Sequence, residues 1–405
     1  MIVLVFTLLG FSLGILAVRS GFLKSILRIL VKYKAWPIQS NAVVQKVSPP
    51  EATFHSPLFR WDKYRYASQF DQAQVLFENR IAKQKSKILD INNWQDQEDS
   101  TEAYDKTRKH FLDLLGGAEL GNPNRVKLLE QELLSTSPSS EIKRVKIQSR
   151  IEGIIIEAIV GIPVNPKLRN PAVIALHGYT SSPDKVMGQE EDDYAHGFGK
   201  ELLEKGYYVI APFILNHGER VSSISAIASL LGDTIWRIEL IKILSCLDFL
   251  QQIEVVNNNQ IGIYGISGGG LLALYASAVD RRISCTVCSG HLCNSKRSLI
   301  DYAIGRGRHA RPHFNFRSSY YYVNAPFHLE YPSEAISKMS FPTPILFENG
   351  IMDLDLKEYD DEQEYEKIKK YYTKHNKSDR VFFYRHKGAH ETDAHYCISW
   401  FDRWI

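Results

Sequence analysis

Ser267 stands in a run of glycines, Gly265-Ile266-Ser267-Gly268-Gly269, with an apolar stretch before it (Ile261, Ile263, Tyr264) and a small-residue helical pattern after it through Tyr275. A strand that turns directly into a helix forces the residue on the bend into a strained backbone conformation, and its neighbours must be nearly free of side chains. A serine held there presents its hydroxyl clear of the sheet, and the helix behind it offers a positive N-terminal dipole to an anion formed alongside. That is a nucleophile's position. An ordinary turn would account for the glycines alone, but not for their fall between a strand pattern and a helix pattern.

A serine hydroxyl attacks a carbonyl only when a base takes its proton, and the base needs a third group to hold its tautomer. Glu348-Asn349-Gly350-Ile351-Met352-Asp353 places a carboxylate just past a glycine turn at the end of an apolar run, so Asp353 is the candidate acid, with Asp355 and Glu348 as rivals. Arg385-His386-Lys387-Gly388-Ala389-His390 places a histidine beyond a small-residue loop, and His390 is the candidate base. His386 lies too near the strand end and His395 about a turn into the following helix. The order serine, acid, histidine is the one used by G-x-S-x-G hydrolases. Two backbone N–H groups must receive the developing oxyanion, and Gly268, after the serine, and Tyr179, after the strand Pro171–Leu176, fill those places. No histidine cluster has metal spacing, so neither a metal nor another cofactor is expected.

The elements that must carry these residues alternate. Apolar or alternating runs at 142–147, 153–162, 171–176, 207–212, 260–266, 283–288, 344–347 and 381–384 predict strands, the first two as a hairpin. Helices are predicted over Asp192–Glu204, over a long segment capped by Asp233 and carrying Trp236, Leu240, Ile243, Leu244, Leu247 and Leu250, and after Ser267. Strands alternating with helices imply a mostly parallel sheet covered on both faces, an α/β class. Upstream, 57–140 predicts an N-terminal helical region, with Tyr104–Leu115 stopped by Gly116-Gly117, and 37–56 a linker. The main domain is expected over 141–405. Its stretch 291–341, with Tyr302, Arg306, Arg308, Arg311 and Phe314, is too long for a bare loop and is expected to form a lid over the serine.

The 405 residues suffice for one large domain and an accessory region, and a net charge of +3 without a long basic run argues against nucleic acid as a partner. The five cysteines are an odd count in apolar settings, so no disulfide framework is expected, and Cys285-x-x-Cys288 in a strand would point its thiols to opposite faces. Met1–Val18 is an unbroken apolar run without charge, and Phe22–Lys34 sets Leu23, Ile26, Leu27 and Leu30 on one helical face with Lys24, Arg28 and Lys32 elsewhere. Residues 1–36 therefore read as a membrane anchor followed by a basic amphipathic segment.

From about residue 105 onward the chain resembles the α/β-hydrolase superfamily, in its dienelactone-hydrolase and acetyl-xylan-esterase-like branch. The likeness is carried by KTRKHFLDLLGG (Lys106–Gly117), PAVIALHG (Pro171–Gly178), YAHGFGKELLEKGYYVIAP from Tyr194 with HGER after it, IYGISGGG and LFENGIMD. It implies a serine hydrolase of esters with small acyl groups, using Ser267, Asp353 and His390. Peptidase or acyltransferase chemistry could use the same constellation, and an inert, membrane-tethered binding module is the rival from another class. Two positions depart from the branch: Phe213 stands where its members often carry aspartate, and the nucleophile is serine where true dienelactone hydrolases have cysteine.

Orientation follows the lysine and arginine bias near the span. None precedes the apolar run, whereas Arg19, Lys24, Arg28, Lys32 and Lys34 follow it, which places the catalytic region in the cytoplasm; an atypical cleaved signal sequence would instead place it outside. In sealed vesicles with the cytoplasmic face inward, the catalytic region should resist protease until detergent is added. Digestion without detergent, or a mature N-terminus beyond Val18, would contradict this orientation.

Overall fold

The central strands carry apolar side chains toward both faces, as buried parallel strands must. In the computed structural model, residues 101–164, 169–214, 220–294, 330–353, 356 and 360–405 are described, all within one compact unit. Among them nine strands form one sheet: β1 (Lys127–Thr136), β2 (Ser140–Gln148), β3 (Ile155–Pro163), β4 (Asn170–Leu176), β5 (Tyr208–Pro212), β6 (Val256–Ile266), β7 (Cys285–Ser289), β8 (Ile345–Gly350) and β9 (Val381–His386). Their order is β1-β2-β3-β5-β4-β6-β7-β8-β9. The first three strands run antiparallel, and β3 meets β5 antiparallel; from β5 to β9 every pairing is parallel.

Helices cover both faces. On one side lie α1 (Thr101–Leu115), α4 (Ile235–Gln251), α5 (Gly268–Val279), α6 (Ser333–Met339) and α7 (Asp361–Lys374), and on the other α2 (Phe198–Glu204) and α8 (Ala394–Trp404); α3 (Arg220–Leu230) precedes α4. Each face encloses its own core: Phe111, Trp236, Ile263, Tyr275 and Phe347 on the first, Phe198, Tyr264, Leu346 and Phe401 on the second. Full burial of such a side chain contributes roughly 1.5–3 kcal/mol, so the two apolar layers dominate the stability of the domain. The chain leaves β4 toward β5 on one side and returns through α4 to β6 on the other, which opens a crevice beyond the C-terminal ends of β4 and β6.

The hairpin of β2 and β3, the glycine stop at Gly116-Gly117 and the opposed thiols of β7 agree with the sequence reading. Cys285 lies in one core and Cys288 in the other, and burial raises both thiol pKa values well above normal. Four expectations need correction. The helical region drawn over 57–140 ends earlier, because Lys127–Thr136 is a strand. Its Leu- and Glu-rich sequence suits a helix, but pairing with β2 decides the outcome, and an edge strand exposed along most of its length needs no alternation. The helix drawn from Asp192 starts at Phe198, since His196 and Gly197 both adopt left-handed φ, 48° and 59°.

Asp233 is not the cap of α4. Thr234 is, its side chain accepting from Arg237 N–H at 3.1 Å, while Asp233 binds Thr234 N–H and the Arg237 guanidinium. The end of the lid-like stretch 291–341 is core rather than cover: α6 packs on α5 and α7 and buries Ala335, Ile336 and Met339. Residues 295–329 of that stretch lie outside the described residues, as do the anchor at 1–36, the linker at 37–56 and 57–100. Among the described residues no helix is long and apolar enough to cross a membrane.

Candidate active site

β6 ends at Ile266 and α5 begins at Gly268, so Ser267 alone makes the bend, at φ 58° and ψ −120°. A non-glycine residue in that region is strained by about 1–3 kcal/mol and persists only where its surroundings hold it. Here the Ser267 N–H donates to Ser289 O on β7 at 2.8 Å. The bend is too tight for side chains beside it: a Cβ on Gly265 would lie 2.1 Å from Gly269 O, and one on Gly269 2.5 Å from Leu176 O. Ser267 is half-buried amid buried neighbours.

β8 and β9 pair in register to Gly350 and His386, and the loops beyond them remain stitched together. Ile351 N–H donates to His386 O at 2.9 Å and Met352 N–H to Gly388 O at 3.0 Å. Gly350 must be glycine, because a Cβ there would stand 2.0 Å from Ala389 O. This zipper brings the buried Asp353 Oδ2 to 2.6 Å from His390 Nδ1, a short bond of the charge-assisted kind. A carboxylate at Nδ1 fixes the proton there and leaves Nε2 as the basic nitrogen. The His390 ring and the Ser267 main chain both border Gly290, where a Cβ would stand 3.2 Å from His390 Cε1 and 3.6 Å from Ser267 N.

The rival Glu348 faces the other core, where it accepts from Tyr264 Oη (3.0 Å), Asp393 N–H (2.9 Å) and Cys397 Sγ (3.3 Å), and burial raises its pKa. Asp355 lies outside the described residues.

The loop after β4 reaches the same place, with a Cβ on Gly178 falling 3.0 Å from Ser267 Cβ. His177 is buried; its Nε2 accepts from Ile214 N–H at 3.1 Å, so its proton resides on Nδ1, which donates to Gly178 O at 2.9 Å. Across a planar trans peptide the N–H points away from the C=O, so this bond turns Tyr179 N–H away from the imidazole. Gly268 opens α5, where the first N–H groups have no carbonyl one turn back. Phe213 is 39% exposed, with its ring 5.6 Å from that of His177. The structure thus brings Ser267, Asp353, His390, Gly268 and the Gly178-Tyr179 loop to one edge of the sheet. Among the described residues no group of three or more His, Cys, Asp or Glu side chains is arranged to hold a metal ion.

Sequence reasoning gave no role to the residues that fasten the histidine loop. Thr392 N–H donates to Tyr194 O (3.0 Å), Thr392 Oγ1 donates to Ala195 O (2.8 Å), and His196 bridges Asp192 (2.9 Å) and Glu391 (3.0 Å). Burial opposes charging of His196, but its hydrogen bonds to the two carboxylates outweigh that, and its pKa is raised. The same bond, from the other side, lowers Glu391.

The sheet, its switch-point crevice and the serine elbow are those of an α/β-hydrolase. The chain resembles that superfamily, in its dienelactone-hydrolase and acetyl-xylan-esterase-like branch, and two family models match parts of it. The dienelactone hydrolase family matches residues 156–291, and the C-terminal domain of the BAAT and acyl-CoA thioester hydrolases matches 245–388. YtaP of Bacillus subtilis (strain 168), described as a hydrolase, is 33% identical over 125 residues, a match covering 29% of this chain and 42% of that protein. Among solved structures, one described as an acetyl xylan esterase of Bacteroides fragilis aligns at TM-score 0.58 and 14% identity, covering 77% of this chain and 81% of its own. The glucuronoyl esterase of Solibacter usitatus aligns at 0.52 and 13%, covering 75% and 93%. At such identities the likeness to the solved structures is one of fold.

The His196 bridge has a definite pH signature. A raised imidazole pKa contributes stability that is full below the unfolded value and lost as pH climbs through the folded one, while the lowered Glu391 loses its share as pH falls. The window lies between the ordinary carboxylate and imidazole values, about 4.3 and 6.5. The Tm difference between wild type and His196→Asn, which tolerates the left-handed φ, should be largest near pH ~5.5 and shrink toward pH ~9. A difference independent of pH would show that the bridge carries no ionic component.

Proposed function

We propose that this chain is a serine hydrolase of carboxylic esters with small acyl groups. The observation that carries the reading is the 2.6 Å contact of Asp353 with His390, whose ring borders Gly290 together with the strained Ser267. His390 Nε2 takes the Ser267 proton as Oγ bonds to the ester carbonyl carbon, and Asp353 stabilises the imidazolium. The carbonyl oxygen, now anionic, is received by the N–H groups of Tyr179 and Gly268. Collapse breaks the ester C–O bond, and the imidazolium protonates the departing alkoxide. Water then adds to the acyl-enzyme with His390 again as base, releasing the acid and restoring Ser267.

The 245–388 match contains Ser267 and Asp353 and favours a second reading, in which the acyl group comes from a thioester or passes to an acceptor other than water. Relative rates on oxyester and thioester of one acyl group separate the two. The cytoplasmic orientation and the anchor at 1–36 belong to the same proposal and rest on the charge bias of that segment.

Against short-chain p-nitrophenyl esters, Ser267→Ala should lower kcat by roughly 10³- to 10⁶-fold, the range for loss of a triad nucleophile. Retention of more than a few per cent of the activity would place the nucleophile elsewhere, and absence of turnover in the wild type would favour the inert binding module. Peak rates on long acyl chains would sink the small-acyl preference.

A further inference from the structure

Tyr194 follows the single helical turn Pro183–Val186 and precedes α2, and no step of the mechanism above uses it. Its hydroxyl donates to Tyr179 O, the carbonyl of the residue whose N–H is proposed to receive the oxyanion. The hydroxyl is 2.6 Å from where a Cβ on Gly178 would stand, and its ring centroid is 6.0 Å from that of His390. Its main chain faces the other way, with Tyr194 O accepting from Thr392 N–H at 3.0 Å, two residues past His390. Thr392 Oγ1 doubles that link through Ala195 O at 2.8 Å.

We infer that Tyr194 is a positioning residue that joins the oxyanion loop to the histidine loop, an inference that rests on the hydrolase reading. Two peptide planes flank Tyr179. The Gly178 carbonyl on one is held by His177 and the Tyr179 carbonyl on the other by Tyr194. With both planes fixed, φ and ψ of Tyr179 are set, and so is the direction of its N–H. Because an oxyanion donor acts only when aimed at the place where charge develops, freeing one plane costs transition-state binding and leaves ground-state binding nearly intact. The phenol also couples that aim to His390, since one residue carries both attachments.

The test compares wild type with Tyr194→Phe, which loses only the hydroxyl, using p-nitrophenyl acetate as substrate and an arylboronate as a probe that forms a tetrahedral anionic adduct on the serine. Tyr194→Phe should lower kcat by roughly 10- to 100-fold and weaken the boronate by a similar factor, with KM changed by less than about threefold. A merely structural role would lower the amount of folded enzyme without separating boronate affinity from KM.

If kcat and boronate affinity both stay within about twofold of wild type, the inference is overturned while the hydrolase reading stands. If wild type neither turns over nor binds boronate, the hydrolase reading fails and this inference with it. Should Tyr194→Phe not fold, Thr392→Val removes the Oγ1 link at nearly constant volume. The folded variant should lose at least about threefold in kcat, and an unchanged rate overturns the coupling.

Discussion

The structure turns on the bend at Ser267, where a residue with a side chain is held at positive φ between a strand and a helix. That conformation is unfavourable by about 1–3 kcal/mol and cannot hold itself. Three neighbouring strands restrain it: β6 supplies the bend, β7 accepts the Ser267 N–H through Ser289 O, and β4 presses its last carbonyls against Gly269. All three lie between the two apolar layers, so relaxing the bend would disturb packing worth several buried side chains. The order β4-β6-β7 in the sheet is therefore a requirement of the site as well as of the fold.

From this fixed point the remaining groups are placed by loops that leave the same sheet edge and are tied to one another. The acid turn after β8 and the histidine loop after β9 share main-chain hydrogen bonds, so the Asp353–His390 contact follows from strand register. The Gly178-Tyr179 loop is fastened by His177 and Tyr194, and the histidine loop by Thr392, Glu391 and His196. In the proposed hydrolase, preorganisation of this kind would keep donors and base in place before substrate arrives, which is where electrostatic catalysis gains most.

The candidate triad was legible because each member follows a strand and a glycine-rich or small-residue turn, signals that are local in sequence. The core strands were legible for a similar reason, since burial on both faces leaves a continuous apolar run. β1 was not: its side chains meet mostly water, so its composition reports helix propensity while pairing with β2 fixes its state. The start of α2 was missed because His196, an ordinary side chain, takes a left-handed φ that composition does not announce. Tyr194 and Thr392 carry no local signal at all, since their partners lie 15 and 197 residues away along the chain. The core role of α6 was hidden within a stretch whose aromatic and basic composition suggested a cover.

The most direct test of the account is covalent. A fluorophosphonate probe phosphonylates a serine only where a base and an oxyanion site activate it, and peptide mass mapping reports which one. A single adduct on Ser267 is expected in the wild type, slowed by orders of magnitude in His390→Ala. An adduct on another serine, or none on a folded chain, would contradict it.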